Sequence, residues 1–236
     1  MPTRTCGVSW PRTEVDTARR TRRALVLSAG ALIVFPAAVR AGAQQYEPLA
    51  DSVRAALAAQ IADDRPPERR FSSIDERLAY LAWLGEMSER LQGRGRIGDY
   101  AARVEFLKTL DYEVLRAGLD RQLVLGLIQV ESNFRKYAIS VAGARGFMQV
   151  MPFWTALIGD GNAKRLFEMR TNLRYGAVIL RHYLDIEKGD LFMALGRYNG
   201  SRGRPQYPDA VLAAMRKNWS YEPARPDTTP APAVRA

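Results

Sequence analysis

The sequence predicts a mainly α-helical protein, and three observations support this fold class. Apolar residues recur at helical spacing over most of the chain beyond residue 45, runs that alternate apolar and polar residues are nearly absent, and capping residues precede several of the periodic segments. The chain has 236 residues, of which 47% are hydrophobic and 25% charged. This composition is typical of a globular protein with one substantial core.

The N-terminal region has the layout of a secretory signal peptide. A group of arginines precedes an apolar run at residues 24–39, and Ala41-Gly42-Ala43 follows. The apolar run is about sixteen residues long, short of the roughly 20 that a membrane-spanning helix needs. We therefore expect residues 1–43 to be a signal peptide cleaved near Ala43–Gln44, with a retained anchor as the alternative.

Export would make the protein periplasmic or secreted. Thr21-Arg22-Arg23 resembles a twin-arginine signal, and the general secretory route is equally compatible with the segment. The sequence indicates contact with a membrane only through this segment, if it stays uncleaved.

Much of the positive charge belongs to the same region. The net charge of the full chain is +10, and removal of residues 1–43, with seven arginines and two acids, leaves +5. A mildly cationic surface suits an anionic polymer. Nucleic acid is not expected as a partner, because no helix-turn-helix, zinc or RNA-binding motif is present. The single cysteine, Cys6, lies in the same segment, which leaves no thiol for a disulfide or a metal site.

The first part of the exported chain is predicted to be a helical N-terminal extension at residues 44–98. An alanine-rich helix is expected at residues 49–61, before Pro66-Pro67. Ser73 and Glu76 form a capping-box pattern ahead of a second helix that ends near Leu91. Apolar residues of that helix share a stripe that we assign to the core: Ile74, Leu78, Leu81 and Leu84.

A larger helical domain is predicted at residues 99–220, followed by a proline-rich tail at residues 221–236 that we expect to be disordered. Its first helix should run from about Asp99 to Ala117. Asp120 is a plausible N-cap for the next helix, Arg121 to Glu131, whose centre is apolar on nearly all sides and should be buried. Gly126 in that centre is best explained by packing. Further helices are expected around 152–158, 172–186, 190–198 and 207–219.

Glu131 is the strongest candidate for a catalytic residue in this sequence, since it is the last residue of the predicted buried helix. Desolvation disfavours the ionised carboxyl group, and the C-terminal end of a helix adds partial negative charge, so both should raise the pKa of Glu131. A carboxyl group that is partly protonated near neutral pH can act as a general acid. The alternative is a glutamate that frays into solvent at a helix end.

Three motifs surround this residue in order. Glu131-Ser132-Asn133-Phe134 is followed by Ser140 and by residues 143–152, GARGFMQVMP, and then by Arg197-Tyr198-Asn199-Gly200. The set resembles the soluble lytic transglycosylase family, which has a lysozyme-like fold, over roughly residues 100–219. The resemblance implies a lysozyme-like transglycosylase domain with the N-terminal extension in front of it.

The resemblance also implies roles for individual residues. Glu131 would be the catalytic acid and base. The positions matched to substrate binding are Ser140, Gln149 and Met151, around the acetamido sugar, and the pair Tyr198 and Asn199, whose phenol would lie close to the catalytic carboxyl. Those matched to support of the site are Ser132, Gly146, Phe147 and Met148. Phe147 stands where the family usually has leucine, and Arg197 where it usually has alanine.

One carboxyl group is expected to suffice for catalysis of glycosidic-bond cleavage. Asp160, Glu168 and Asp185 lie among polar residues and are interpreted as surface charges. Ordinary glycosidases use two carboxyl groups, but the N-acetyl oxygen of a substrate sugar can replace the second. The resemblance implies cleavage of peptidoglycan strands between N-acetylmuramic acid and N-acetylglucosamine without water, leaving a 1,6-anhydro end, with no metal and no cofactor.

Two alternatives stay open at this point. A muramidase could use the same glutamate for hydrolysis, and a non-catalytic wall-binding or assembly protein could keep the fold. Residues 44–98 could bind a partner from the cell-wall or secretion machinery.

Overall fold

The structure is a computed structural model that describes Gln44 and residues 66–159 and 161–223. The predicted signal peptide, the helix expected at residues 49–61 and nearly all of the predicted tail lie outside the described residues. The described part is built from helices, which confirms the predicted fold class. Its extended pairing is limited to single bridges between Ile139 and Arg145 and between Arg145 and Val150.

The helices follow one another with short connections. They are α1 Ile74–Gln92, α2 Tyr100–Arg116, α3 Arg121–Glu131, α4 Phe153–Ile158, α5 Met169–Ile186, α6 Leu191–Asn199 and α7 Gln206–Ala214. A 3-10 turn, Ala163–Phe167, precedes α5, and a π-helical turn, Met215–Trp219, continues α7. The prediction of one α-helix at residues 207–219 therefore holds only in its first part, and α5 begins three residues earlier than expected.

Side-chain caps fix the starts of the helices that lead to the site. Oδ1 of Asp120 accepts a hydrogen bond of 2.7 Å from the backbone N–H of Leu123, as the sequence predicted. The hydroxyl of Ser73 likewise accepts from the N–H of Glu76, but the Glu76 carboxylate accepts from the N–H of Ser72 rather than of Ser73. These caps satisfy backbone donors that a helix leaves unpaired, and so define where each helix begins.

Helix α3 is the buried centre of the domain, as predicted. Its residues from Leu123 to Ile128 are all buried. A side chain at Gly126 would place its Cβ 2.9 Å from both the N of Met215 and the carbonyl oxygen of Val211. The glycine therefore lets α7 and the π-helical turn lie against α3, which brings the start of α7 close to the end of α3.

A buried ion network joins α2 to α5. Both oxygens of the Glu113 carboxylate accept hydrogen bonds from arginines, Oε1 from Arg170 at 2.8 Å and Oε2 from Arg174 at 3.1 Å. A buried carboxylate needs such partners, because an unpaired charge in the interior is costly. The network fixes α5, which forms one wall of the site, to the rest of the domain.

The predicted core stripe of α1 is wrong in three of its four positions. Ile74, Leu78 and Leu81 are 64%, 57% and 49% exposed, whereas Leu84 is buried. Helix α1 carries more apolar residues than one face can bury. The face that packs inward is the neighbouring one, with Trp83, Met87 and Leu91.

Candidate active site

Glu131 lies at the last position of α3, where the chain turns sharply. Ser132 ends the helix, and the next two residues, Asn133 and Phe134, both have positive φ angles, of 47° and 61°. Glu131 keeps some exposed surface, as a group that meets a substrate must. Burial of its carboxyl group nevertheless raises the pKa of Glu131 to about 8. The group is therefore protonated at neutral pH, which agrees with the expectation from the sequence.

Tyr207 is the direct partner of this carboxyl group, and no local sequence pattern pointed to it. Its hydroxyl donates a hydrogen bond of 2.5 Å to Oε1 of Glu131. The bond stabilises the carboxylate and lowers the pKa of Glu131, against the larger effect of burial. Tyr207 is itself buried near the start of α7, and burial together with the neighbouring Glu131 raises its own pKa well above the ordinary value.

The loop at residues 145–151 forms the second part of the site and is held from three sides. The hydroxyl of Ser132 donates to the carbonyl of Phe147 at 2.7 Å. The hydroxyl of Tyr198, on α6, donates to the carbonyl of Met148 at 2.8 Å. On the third side, Oδ1 of Asn172 accepts from the N–H of Met148 at 2.8 Å. The loop therefore has a fixed position beside the end of α3.

Asn172 and two glycines explain how the loop fits against α5. The amide of Asn172 also donates to the carbonyls of Arg145 and Leu166, at 2.9 and 2.8 Å. A Cβ on Gly146 would lie 2.3 Å from this amide nitrogen, and Gly146 has a φ of 76° that disfavours other residues. A Cβ on Gly176 would lie 2.4 Å from the sulfur of Met148. No sequence pattern predicted these roles of Asn172 and Gly176, because only the packed structure brings α5 to the loop.

The residues predicted to bind substrate differ from one another in burial and in hydrogen-bond partners. Gln149 is buried with a φ of 50°, and its side-chain amide donates to the carbonyls of Ala138 and Gly146. Ser140 is half-buried, and its hydroxyl accepts from the N–H of Ala144. Met151 is half-buried and Asn199 is buried. In this arrangement the donors of the Gln149 side chain brace the loop, while the backbone of the loop faces Gln44.

Gln44 presents a carboxamide to that backbone. Its Nε2 donates to the carbonyl of Gln149 at 3.4 Å, and its Oε1 accepts from the N–H of Met151 at 3.3 Å. A hydrogen bond also joins the side chain to the Tyr198 hydroxyl. The loop therefore offers one backbone acceptor and one backbone donor to an amide group.

The hydroxyl of Tyr198 bonds to the loop rather than to the Glu131 carboxyl group. Its hydroxyl donates to Met148, whereas the hydrogen bond to the Glu131 carboxyl comes from Tyr207. Tyr198 is still near the carboxyl group, since burial and the charge of Glu131 together raise the pKa of Tyr198 well above its usual value.

The remaining described acids near these elements are paired or exposed. Asp185 and Glu168 are exposed surface residues, as predicted, and they pair with Arg181 and Arg165; Asp160 lies outside the described residues. Glu187 is held by Arg197 and Arg202, and these hydrogen bonds lower the pKa of Glu187 to about 2. Arg197, which departs from the family pattern, therefore has a structural partner at the end of α5.

Comparison with known proteins identifies similar sequences. Residues 110–210 match the family model for the transglycosylase SLT domain. Two similar proteins both carry the name membrane-bound lytic murein transglycosylase C. The one from Histophilus somni (strain 2336) is 35% identical over 124 residues, which cover 45% of this chain and 34% of that protein. The one from Haemophilus influenzae (strain PittEE) is 46% identical over 135 residues, which cover 50% and 38%. The chain spans about a third of the length of these relatives.

Proposed function

Through residues 110–210 the chain belongs to the transglycosylase SLT family, and on this basis we propose that it is a peptidoglycan lytic transglycosylase with Glu131 as its catalytic acid and base. It would cleave the bond between N-acetylmuramic acid and N-acetylglucosamine without water. The observation that carries the proposal is a carboxyl group held protonated at neutral pH at the end of a buried helix.

The first step needs a proton at the glycosidic oxygen. Protonated Glu131 donates it as the bond between the anomeric carbon and that oxygen breaks. The N-acetyl oxygen of the muramic acid attacks the anomeric carbon from the other side and takes up the developing positive charge. Glu131 is left as a carboxylate, and the hydrogen bond from Tyr207 stabilises this form.

The second step returns the proton to Glu131. The carboxylate accepts the proton of the C6 hydroxyl of the same muramic acid, and that oxygen attacks the anomeric carbon and displaces the N-acetyl oxygen. A 1,6-anhydro ring forms, and Glu131 is ready for another cycle. Attack from within the same sugar has a high effective concentration, which favours it over attack by water.

Gln44 supports the part played by the N-acetyl group. Its carboxamide carries the same acceptor and donor as an acetamido group, and the carbonyl of Gln149 and the N–H of Met151 bind both. An acetamido sugar that used this backbone pair would lie beside Tyr198 and the loop that Ser132 fixes. Of the predicted substrate-binding residues, Gln149 and Met151 would then act through their backbone.

The proposed substrate agrees with the expected location. The relatives are named as membrane-bound murein transglycosylases, and the predicted signal peptide would bring this chain to the same compartment as the cell wall. Within the described residues, none of the helices has the length and apolar composition required to cross a bilayer.

The test is product analysis on purified sacculi. The wild-type protein should release muropeptides with anhydro ends, which are lighter by one water than reducing ends in mass spectrometry. Glu131→Gln should release none, while the matched variant Glu105→Gln, which changes an exposed glutamate of α2, should behave as wild type. Reducing ends would identify a muramidase. Binding to sacculi with no release by the wild-type protein would identify a scaffold.

A further inference from the structure

A loop beside the site exposes apolar side chains in an unusual pattern. Tyr137, Ile139 and Val141 are 71%, 65% and 110% exposed, whereas Ala138 and Ser140 between them are half-buried. Tyr137 and Val141 lie in turns on either side of the bridged residue Ile139, and soluble proteins rarely expose apolar side chains grouped in this way. Here the apolar set points into solvent.

Hydrogen bonds hold this loop in a defined shape. The N–H of Ser140 donates to the carbonyl of Ala144 at 3.0 Å, and the N–H of Gly143 donates to the carbonyl of Ser140 at 2.9 Å. The carbonyl of Ala138 accepts from the N–H of Gly146 at 2.9 Å and from the Gln149 side chain. The exposed side chains are therefore carried by the same braced structure that carries the site.

The surroundings of the loop are cationic. Residues 132–159 contain Arg135, Lys136 and Arg145 and no aspartate or glutamate. The ammonium group of Lys136 lies 5.4 Å from the centre of the Tyr137 ring, and this ring contacts Phe167 at 5.9 Å. The segment that exposes Ile139 and Val141 therefore also carries an aromatic residue, Tyr137, and nearby cationic residues.

We propose that Tyr137, Ile139 and Val141 form a docking surface for a bilayer of anionic phospholipids. Aliphatic side chains of such a surface can enter the boundary between headgroups and acyl chains, tyrosine suits the headgroup level, and the cations meet lipid phosphates. A glycan fits Ile139 and Val141 less well, because these two side chains offer it neither hydrogen bonds nor an aromatic face. The sequence indicated only the signal segment as a membrane contact, and the loop adds a second one that survives cleavage.

The docking surface takes no part in the proposed reaction, but it would orient the active site relative to the membrane. Because the Gln149 side chain binds the carbonyl of Ala138, the docking surface and the amide-binding loop form one unit. Docking would hold the site at the membrane surface, next to the wall layer that borders it.

The experiment uses the exported protein, with its N-terminus determined by mass spectrometry and Cys6→Ser introduced in case the segment is retained. An environment-sensitive fluorophore is attached to Val141→Cys or, as the control, to Leu78→Cys on the exposed face of α1. Vesicles of phosphatidylglycerol and phosphatidylethanolamine should shift the emission of the label at 141 to the blue and leave the label at 78 unchanged. Vesicles of phosphatidylcholine should give a smaller shift, since each cation near an anionic surface contributes roughly fivefold in affinity.

Unlabelled variants supply the matched comparison. Ile139→Ser with Val141→Ser should weaken binding to anionic vesicles by at least about tenfold, because two aliphatic side chains no longer enter the interface. Ile74→Ser with Leu78→Ser, which removes an equal number of exposed aliphatic residues, should leave binding unchanged. A label at 141 that stays in water with vesicles present would overturn the proposal. So would a shift that depends only on protein concentration, because it would show that a second copy of the chain covers the docking surface.

Discussion

The hydroxyl of Tyr207 donates a 2.5 Å hydrogen bond to the Glu131 carboxyl group across 76 positions of sequence. Two opposing influences therefore act on the same group. Burial raises the pKa of Glu131 and keeps the proton on, whereas the hydrogen bond favours the ionised form that appears after the first proton transfer.

Tyr207→Phe separates these two influences. Loss of the hydrogen bond should raise the pKa of Glu131 further, so the loss of activity at high pH should move to higher pH. We expect kcat to fall by roughly tenfold, because a charge-assisted hydrogen bond to the carboxylate is lost. The measurement is the pH profile of muropeptide release, with Tyr112→Phe on α2 as the control. An unchanged high-pH limb would show that Tyr207 does not act on the Glu131 proton.

Local signals predicted α3 well but could not predict its partner. Asp120 as N-cap and the apolar centre of the helix are encoded within a few residues, and the structure agrees with both. The contact with Tyr207 depends instead on how α7 packs against α3 at Gly126, which no local pattern encodes. The exposed face of α1 was mispredicted for a related reason: helical spacing identifies apolar faces, but packing decides which one is buried.

The ionisation of Glu131 should also make the free energy of unfolding depend on pH. The pKa of Glu131 is about 8 in the folded protein, above the ordinary value of about 4.5 expected in the unfolded chain. The folded state then binds the proton more tightly, so stability is full below pH 4.5 and decreases as the pH rises toward 8. Glu131→Gln removes this dependence while its side-chain carbonyl can still accept from Tyr207.

Urea denaturation of the two proteins checks this prediction. At pH 4 their free energies of unfolding should be similar, apart from a constant offset. After subtraction of that offset, the free energy of unfolding at pH 8 should be higher for Glu131→Gln than for the wild type by a few kcal/mol. A pH-independent difference would show that Glu131 titrates normally in the folded protein and would remove the basis for its role as an acid.

Gly126 should be intolerant of alanine although it lies inside a helix. Alanine normally stabilises a helix interior by about 1 kcal/mol over glycine. At Gly126 the new Cβ would lie 2.9 Å from backbone atoms of Met215 and Val211, so we expect destabilisation of about 2 kcal/mol. The displaced α7 carries Tyr207, so activity should fall as well.

Gly85→Ala is the matched control for this substitution. Gly85 lies within α1 and would have open space around a Cβ, so alanine should stabilise the protein by roughly 0.5–1 kcal/mol. Thermal and urea denaturation of both variants, with sacculus digestion, measure the two effects. Equal stabilisation by the two substitutions would contradict the close approach of α7 to α3.

Gln44 should compete with the substrate for the amide-binding backbone. Because its carboxamide occupies the carbonyl of Gln149 and the N–H of Met151, only the fraction of protein in which Gln44 has left can bind an acetamido group there. Gln44→Ala should therefore lower KM for glycan strands by about two- to fivefold and leave kcat unchanged. Gln45→Ala serves as the control, and the comparison is made on exported protein whose N-terminus retains residue 44. A raised KM in Gln44→Ala would show the opposite relationship, in which this side chain helps to hold the substrate.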